Sequence, residues 1–283
     1  MPKVIVVGDL ILDIYHYGHP LKDSVEGLLA IGEDKTEASF GGAGLLVRNI
    51  VQLGGRVDFV TVIGNDEFGD LAQKFIRQNL KKTFFVENGR KTTVKERFVV
   101  NGKKVLKWNH LDNRPLNPAI QNRILLYLAK NIRGYDKLII SDYRHGLISQ
   151  SFARALVALG KKFKKPVYVD SQIAQSKGNH AWYKGADLMC LNELEAKSIK
   201  DEIDIPNIIL KLGSKGSLAV IEGKKIRTPA FKVKVVDTTG AGDAFFAALV
   251  ISNFPPTTSD LKRANKWAAL TTTKMGTELP KTR

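Results

Sequence analysis

Between Val236 and Val250 the chain reads VDTTGAGDAFFAALV. A β-branched run, FKVKVV from Phe231 to Val236, leads in as a predicted strand. A Thr/Gly turn follows, then a small-apolar helix pattern that starts near Ala244. Gly240, Ala241 and Gly242 open that helix without bulky side chains. Their backbone N–H groups can approach an anion closely, and the helix dipole adds positive potential there. Asp243 stands in the first turn, beside the same place. A carboxylate next to a cradle for negative charge suits a general base that deprotonates a hydroxyl as it attacks a phosphoryl group. A glycine turn followed by an N-terminal carboxylate also stabilises any helix. The full DTTGAGD string before a small-residue helix favours the chemical reading.

Composition narrows the classes of protein that could carry such a site. The 283 residues make one large α/β domain or two small ones. A hydrophobic content of 43% with 25% charged residues is ordinary for a soluble globular protein. The net charge of +16 is not, and it favours anionic ligands such as nucleotides and sugar phosphates. The lysines are spread along the chain in short pairs such as Lys161-Lys162, with no RNA-binding aromatic motif, so a nucleic-acid partner is not expected. The single cysteine, Cys190, lies in the apolar run ADLMCL, reads as a buried structural thiol and fits a reducing compartment. Met1 to Gly8 leads straight into a strand, with no signal peptide and no apolar run long enough to span a membrane. A cytoplasmic protein is expected.

The elements that must position the motif follow in order. KVIVV (Lys3 to Val7) reads as a buried parallel strand ended by Gly8. Gly8-Asp9 opens a turn, and Leu10 to Ile14 carries Asp13, a solvated strand-end residue or a hydroxyl ligand. Leu21 to Glu37 reads as polar and irregular. FGGAGLLVRNIVQLGG (residues 40–55) sets the flexible pair Gly41-Gly42 before a helix with Leu45, Leu46, Ile50 and Leu53 at helical spacing. Two β-rich runs between Thr92 and Leu111 flank Asn101-Gly102, a strong hairpin signal. Lys95, Arg97 and Lys107 lie on them and could hold a phosphate, or could be edge-strand cations that only prevent aggregation. From Ile120 on, helices and apolar strands alternate: helix 120–132, KLIIS, helix 151–163, PVYVD, ADLMCL and NIILKLG. That alternation argues a parallel doubly wound sheet with its sites at strand C-terminal ends.

DTTGAGDAFFAAL resembles the C-terminal signature of the ribokinase-like (PfkB) carbohydrate kinases. FGGAGLLVRNIVQLGG is similar to the N-terminal signature of that family. The resemblance runs in order along nearly the whole chain and implies a three-layer α/β/α sandwich with a mostly parallel sheet. It implies one kinase domain over 1–283, with a small β lid built from about 13–40 and 91–112. Asp243 would be the catalytic base, and Gly240, Ala241 and Gly242 the anion hole. Asp13 and the pair Gly41-Gly42 would meet the sugar. Asn192 and Glu195 match the N-x-x-E motif associated with Mg2+ and phosphate through ordered water. Lys211, Gly213 and Gly216 resemble the nucleotide-binding T-x-G-x-x-G turn, while Thr238 and Asn265 would also border ATP, Asn265 near the adenine. A K+ ion beside Asp237 and a homodimer through the lid are implied by resemblance alone. Leu45 stands where a sugar-binding asparagine is usual, His145 where a lysine follows Asp142-Tyr143, and Lys211 where threonine is usual.

Within the family, GDLILDIYHYG, TTVKERFVV, LIISDYRHG and TTTKMGT sit close to the pattern of D-glycero-D-manno-heptose-7-phosphate kinases. Because the chain stops at Arg283, no attached adenylyltransferase domain is expected. A competing signal is His16-Tyr17-Gly18-His19, an HxGH motif with which nucleotidyltransferases hold triphosphate. Nothing downstream supplies the lysine- and serine-rich signature of those enzymes, so a local coincidence is the preferred reading. A ribose- or fructose-type sugar kinase, or a relative that binds sugar or nucleotide without catalysis, is the remaining alternative.

Overall fold

The computed structural model describes residues 1–22, 27–75, 78–173, 178–199 and 204–281. The apolar run at the N-terminus forms β1 (Lys3–Gly8), in the interior of a nine-stranded sheet. β4 (Arg56–Gly64) and β5 (Leu80–Glu87) extend the sheet on one side of it. β8 (Lys137–Asp142), β9 (Val167–Ser171), β10 (Leu188–Asn192) and β11 (Ile208–Lys211) extend it on the other, every pair parallel. β12 (Ser217–Ile221) and β13 (Lys224–Thr228) finish that edge antiparallel.

Side chains alternate between the faces of a strand, and β1 shows the result. Val4 and Val6 pack with α1 (Ala43–Gln52), α6 (Ala241–Val250) and α7 (Thr258–Thr271), whereas Ile5 and Val7 pack with α3 (Pro118–Asn131) and α4 (Gln150–Lys162). Two apolar cores on opposite faces of one sheet make the three-layer α/β/α sandwich that the sequence implies. Caps set where helices begin. Asn117 accepts from Ala119 N with Pro118 at the first position of α3, Ser149 accepts from Phe152 N, and Thr257 with Asp260 forms a capping box on α7.

A separate four-stranded sheet, ordered β3-β2-β6-β7, is built from β2 (Leu10–Pro20), β3 (Ile31–Gly42), β6 (Val94–Val100) and β7 (Lys103–His110). The hairpin expected at Asn101-Gly102 joins β6 to β7, with φ of 47° and 76° at the two turn residues. Two expectations are corrected. The stretch taken as irregular from Leu21 to Glu37 becomes strand from Ile31 onward. Its polar residues are mostly exposed, and pairing with β2 rather than an apolar pattern holds it. FKVKVV, expected as a strand, pairs with no strand among the described residues and runs mostly exposed along the surface. It is tied down at its end, where Val236 and Asp237 N–H groups donate to Thr272 O. Among the described residues no helix is long and apolar enough to cross a membrane.

α6 is enclosed on all sides from Ala244 to Val250, between α1 and α7. Asn49, fully buried on α1, ties that helix to α7. Its Nδ2 donates to Leu45 O at 2.9 Å and its Oδ1 accepts from Trp267 Nε1 at 2.8 Å. Asn49→Leu would leave the indole N–H buried without a partner, a loss of about 1–3 kcal/mol. Urea unfolding should therefore show a lower midpoint with an unchanged slope.

Candidate active site

The first turn of α6, expected to form the anion cradle, is opened by a single left-handed residue. Gly240 caps α6 with φ 77°, and Ala241 N–H donates to Thr238 O to close the turn before it. The next first-turn N–H groups, Gly242 and Asp243, have no carbonyl within the helix to meet. The helix begins at Ala241, three residues before the position that its apolar pattern marks, so Asp243 sits inside its first turn. A Cβ on Gly240 would press on Leu45 Cδ2. The leucine found where the family resemblance expects a sugar-binding asparagine therefore packs, buried, on the turn that makes the cradle.

Tyr143 Oη donates a short hydrogen bond to Asp243 Oδ1. Burial pushes the Asp243 carboxyl up to about 7, and Asp170 adds to the rise, while Tyr143 and Lys211 oppose it. Tyr143 is placed by Asp9, whose enclosed carboxylate accepts from the backbone N–H groups of Tyr143 (2.9 Å), His145 (3.4 Å) and Leu147 (3.3 Å). Burial, with Asp142 nearby, pushes Asp9 itself up to about 7. Asp142 is equally enclosed and accepts from Tyr183 Oη, Asn179 Nδ2, Ser171 Oγ and Arg144 N. Two buried carboxylates thus fix the DYRHG loop at the end of β8.

At the C-terminal ends of β9 to β11 lie the residues assigned to nucleotide and metal. Lys211 Nζ is 2.8 Å from Asp170 Oδ2. Asn192 and Glu195 form a capping box on α5 (Glu193–Ser198): Asn192 Oδ1 accepts from Glu195 N, and Glu195 Oε2 accepts from Asn192 N. Burial and Asp170 raise Glu195 to about 7. Among the described residues no group of three or more His, Cys, Asp and Glu is placed to hold a metal directly. Gly213 (φ 56°) and Gly216 (φ 88°) make the turn between β11 and β12, and a side chain on Gly216 would collide with Thr228 O. The Asn265 amide, assigned to the adenine, is committed to Ser217 Oγ and Thr228 Oγ1 beneath that turn. The Asp237 carboxylate, expected beside K+, already has four partners. Its Oδ1 accepts from Thr239 N and Oγ1, and its Oδ2 accepts from Gly276 N and from Lys104 Nζ at 3.2 Å. An ammonium on the small sheet already supplies the positive charge there.

Directly paired residues of neighbouring strands share a face. Asp13 pairs with Lys95, and Arg97 pairs with Tyr15 and Lys107, so these residues lie on one face of the small sheet. Arg97 Nη1 is 2.6 Å from Asp13 Oδ1, and its guanidinium covers the Tyr15 ring. A Cβ on Gly41 would strike the Asp13 carboxylate, which explains the glycine at that position; Gly42 (φ 57°) caps α1 beside it. Burial lowers Lys95, and burial together with Lys95 pushes His145 down to about 4. His145 is therefore a neutral ring at pH 7, with Nδ1 bonded to Asn113 Oδ1 at 2.8 Å. The competing HxGH motif is not assembled. His16 and His19 sit three apart on one strand and so point to opposite faces. His16 binds Glu96 and Thr36, while His19 binds Asp34.

The family model for pfkB family carbohydrate kinases matches residues 1–283. The chain belongs to that family. The Bifunctional protein HldE of Sulfurimonas denitrificans is 30% identical to this kinase over 298 residues, covering 97% of the chain and 61% of that protein. The protein of the same name from Nitratiruptor sp. is 27% identical over 267 residues, covering 88% and 56%. The kinase thus spans about three-fifths of the length of these curated relatives. Its fold is shared with the Arabidopsis thaliana ribokinase solved with ribose and ATP (TM-score 0.70, 20% identity, 97% of this chain and 94% of that one). It is shared equally with a carbohydrate kinase from Agrobacterium tumefaciens (TM-score 0.74, 21% identity, 97% and 92%).

Asp9, Tyr143 and Asp170 were not singled out as site residues from sequence. The signal available was position: each follows or ends an apolar strand of a parallel sheet, where sites gather. Tyr143→Phe removes a hydrogen bond that favours the ionised Asp243. The Asp243 pKa should rise further, and the acid limb of the kinase's pH–rate profile should move to higher pH. An unmoved limb would mean that Tyr143 does not act on Asp243.

Proposed function

We propose that this carbohydrate kinase transfers the γ-phosphoryl group of ATP to a hydroxyl of a sugar that already carries a phosphate, with D-glycero-D-manno-heptose 7-phosphate as the candidate acceptor. The observation that carries the phosphoryl-transfer reading is Asp243, held by Tyr143 in the first turn of a glycine-capped helix. With its pKa near 7 the carboxylate is ionised for part of the population at neutral pH, and it is a stronger base than an exposed aspartate.

Asp243 accepts the proton of the sugar hydroxyl as the oxygen–phosphorus bond forms. The bond from the γ-phosphorus to the bridging oxygen breaks, and ADP leaves with that electron pair. First-turn N–H groups of α6 face the charge that spreads over the transferred oxygens. Magnesium, when bound, would neutralise charge between nucleotide oxygens, with Glu195 and Asn192 as oxygen-bearing groups that suit its hydration shell. Gly213 and Gly216 would let the nucleotide approach the β11–β12 turn, and Thr238 borders the same space. Asn265 would support that turn from below. The small sheet would serve as a lid that excludes water.

The phosphate on the acceptor is supported by the cations on the Asp13 face. Lys95, Arg97 and Lys107 share it, and among the described residues Arg97 alone of the three has a carboxylate partner there, Asp13. The similarity of GDLILDIYHYG and LIISDYRHG to heptose-7-phosphate kinases, and the relatives named HldE, point the same way.

A coupled ADP-release assay across sugars and sugar 7-, 6- and 1-phosphates tests the reading. Turnover with a phosphorylated sugar is expected, and Asp243→Asn should lower kcat by about 10²–10⁴-fold with the fold retained. Near-normal turnover in that variant would remove Asp243 from the base role. Lys95→Met should raise KM for the phosphorylated acceptor about tenfold or more, the scale of one charge-assisted hydrogen bond, and leave KM for ATP unchanged. Activity confined to unphosphorylated sugars would move the acceptor to the ribose or fructose type. Nucleotide binding without turnover on any sugar would leave a binding-only relative.

A further inference from the structure

At the α6 end of the sheet Lys211 is a largely buried cation that stands where a neutral threonine is usual in a nucleotide-binding turn. It ends β11, in register with Asn192 on β10. Its side chain crosses over β10 past Cys190 to reach Asp170 at the end of β9, with only 14% of its surface exposed. The buried Cys190 thiol gives the stem an apolar bed. The ammonium comes to rest against the catalytic helix, 3.5 Å from where a Cβ on Gly242 would stand. A glycine at 242 thus leaves room for the ammonium beside the first-turn N–H groups.

The charges around it are unbalanced. Asp170 raises the proton affinity of both Glu195 and Asp243, and the Lys211 ammonium opposes the rise in each. Burial opposes the charge on Lys211, but Asp170 and Glu195 hold it protonated. An ammonium has three N–H donors. Asp170 takes one, and among the described residues no second acceptor is seen for the other two, which stand beside the first turn of α6. A fixed cation in a desolvated site acts on developing charge far more strongly than one in water.

We infer that Lys211 is a catalytic residue, whose ammonium contacts the oxygens of the transferred phosphoryl group while Asp170 holds it from behind. The inference rests on the phosphoryl-transfer reading above. It separates this chain from a turn that binds nucleotide through a neutral hydroxyl at the same position. The competing account is an ion pair that only neutralises Asp170.

The two accounts differ in which nucleotide feels the lysine. The magnesium complexes of ADP and of β,γ-imido-ATP are titrated into the wild-type protein, Lys211→Met and Lys211→Arg by calorimetry. The wild type should bind both. Lys211→Met should weaken the ATP analogue about tenfold or more, the scale of a hydrogen bond to a charged group, and change ADP less than about twofold. Lys211→Arg should keep most of the preference for the analogue. Equal effects on both ligands, or none, would overturn the inference and leave an ion pair. If Lys211→Met fails to fold because Asp170 is left unpaired, the double variant Asp170→Asn, Lys211→Met gives the same comparison without a buried unpaired carboxylate. A wild-type protein that binds neither nucleotide would overturn the ATP reading itself, and this inference with it.

Discussion

Asp9 meets more of the site than any other residue. Its amide donates to Ser141 O, and its carbonyl accepts from Ala43 N at the start of α1. Its carboxylate collects three N–H groups of the loop that follows β8. One buried residue therefore joins the end of β1, the end of β8, the helix behind Gly41-Gly42 and the loop that carries Tyr143. Burying a carboxylate without a cation is costly unless donors meet it. Here backbone donors meet it, so the loop can take only the conformation that supplies them. Tyr143 reaches Asp243 because of that restriction, and the proposed base inherits its position from a buried residue behind it.

The same economy of charge runs along the sheet. Asp9 and Asp142 are buried side by side, and Asp170, Glu195 and Asp243 share Lys211. In each group burial raises the proton affinity of carboxylates, and hydrogen bonds or one ammonium limit the rise. For Asp9 and Asp243, whose folded pKa lies above that of a free aspartate, ionisation works against folding. That cost is absent at low pH, grows as pH rises from the ordinary aspartate value of 3.8 to about 7, and is constant above that. A site that needs an ionised base at neutral pH thus gives up some stability at the pH where it works.

The fold was legible because parallel strands buried on both faces leave continuous apolar runs, and KVIVV, KLIIS and PVYVD are such runs. The catalytic helix was legible because a small-residue string has few uses other than close approach. The polar strand β3 was not, since its residues satisfy solvent and its order comes from pairing with β2. FKVKVV misled for the opposite reason: β-branched residues favour extension, but extension makes a strand only where a neighbour offers a ladder. Asp9, Tyr143 and Asp170 escaped notice as site residues because their roles depend on which strand ends are adjacent in space. His16 and His19 looked like a pair because a linear motif carries no information about which face of a strand each residue occupies.

α6 carries the anion cradle on its first turn and is enclosed by apolar neighbours from Ala244 to Val250. The residues that would choose the sugar lie elsewhere, on a sheet whose edge strand β7 is solvent-exposed along nearly its whole length. Drift at β7 leaves the interior untouched, whereas drift within α6 disturbs three packed helices at once. On the proposed roles, an acceptor can change through variation of one small sheet while the phosphoryl-transfer site stays fixed, because the apolar surface is buried around α6 and not around β7.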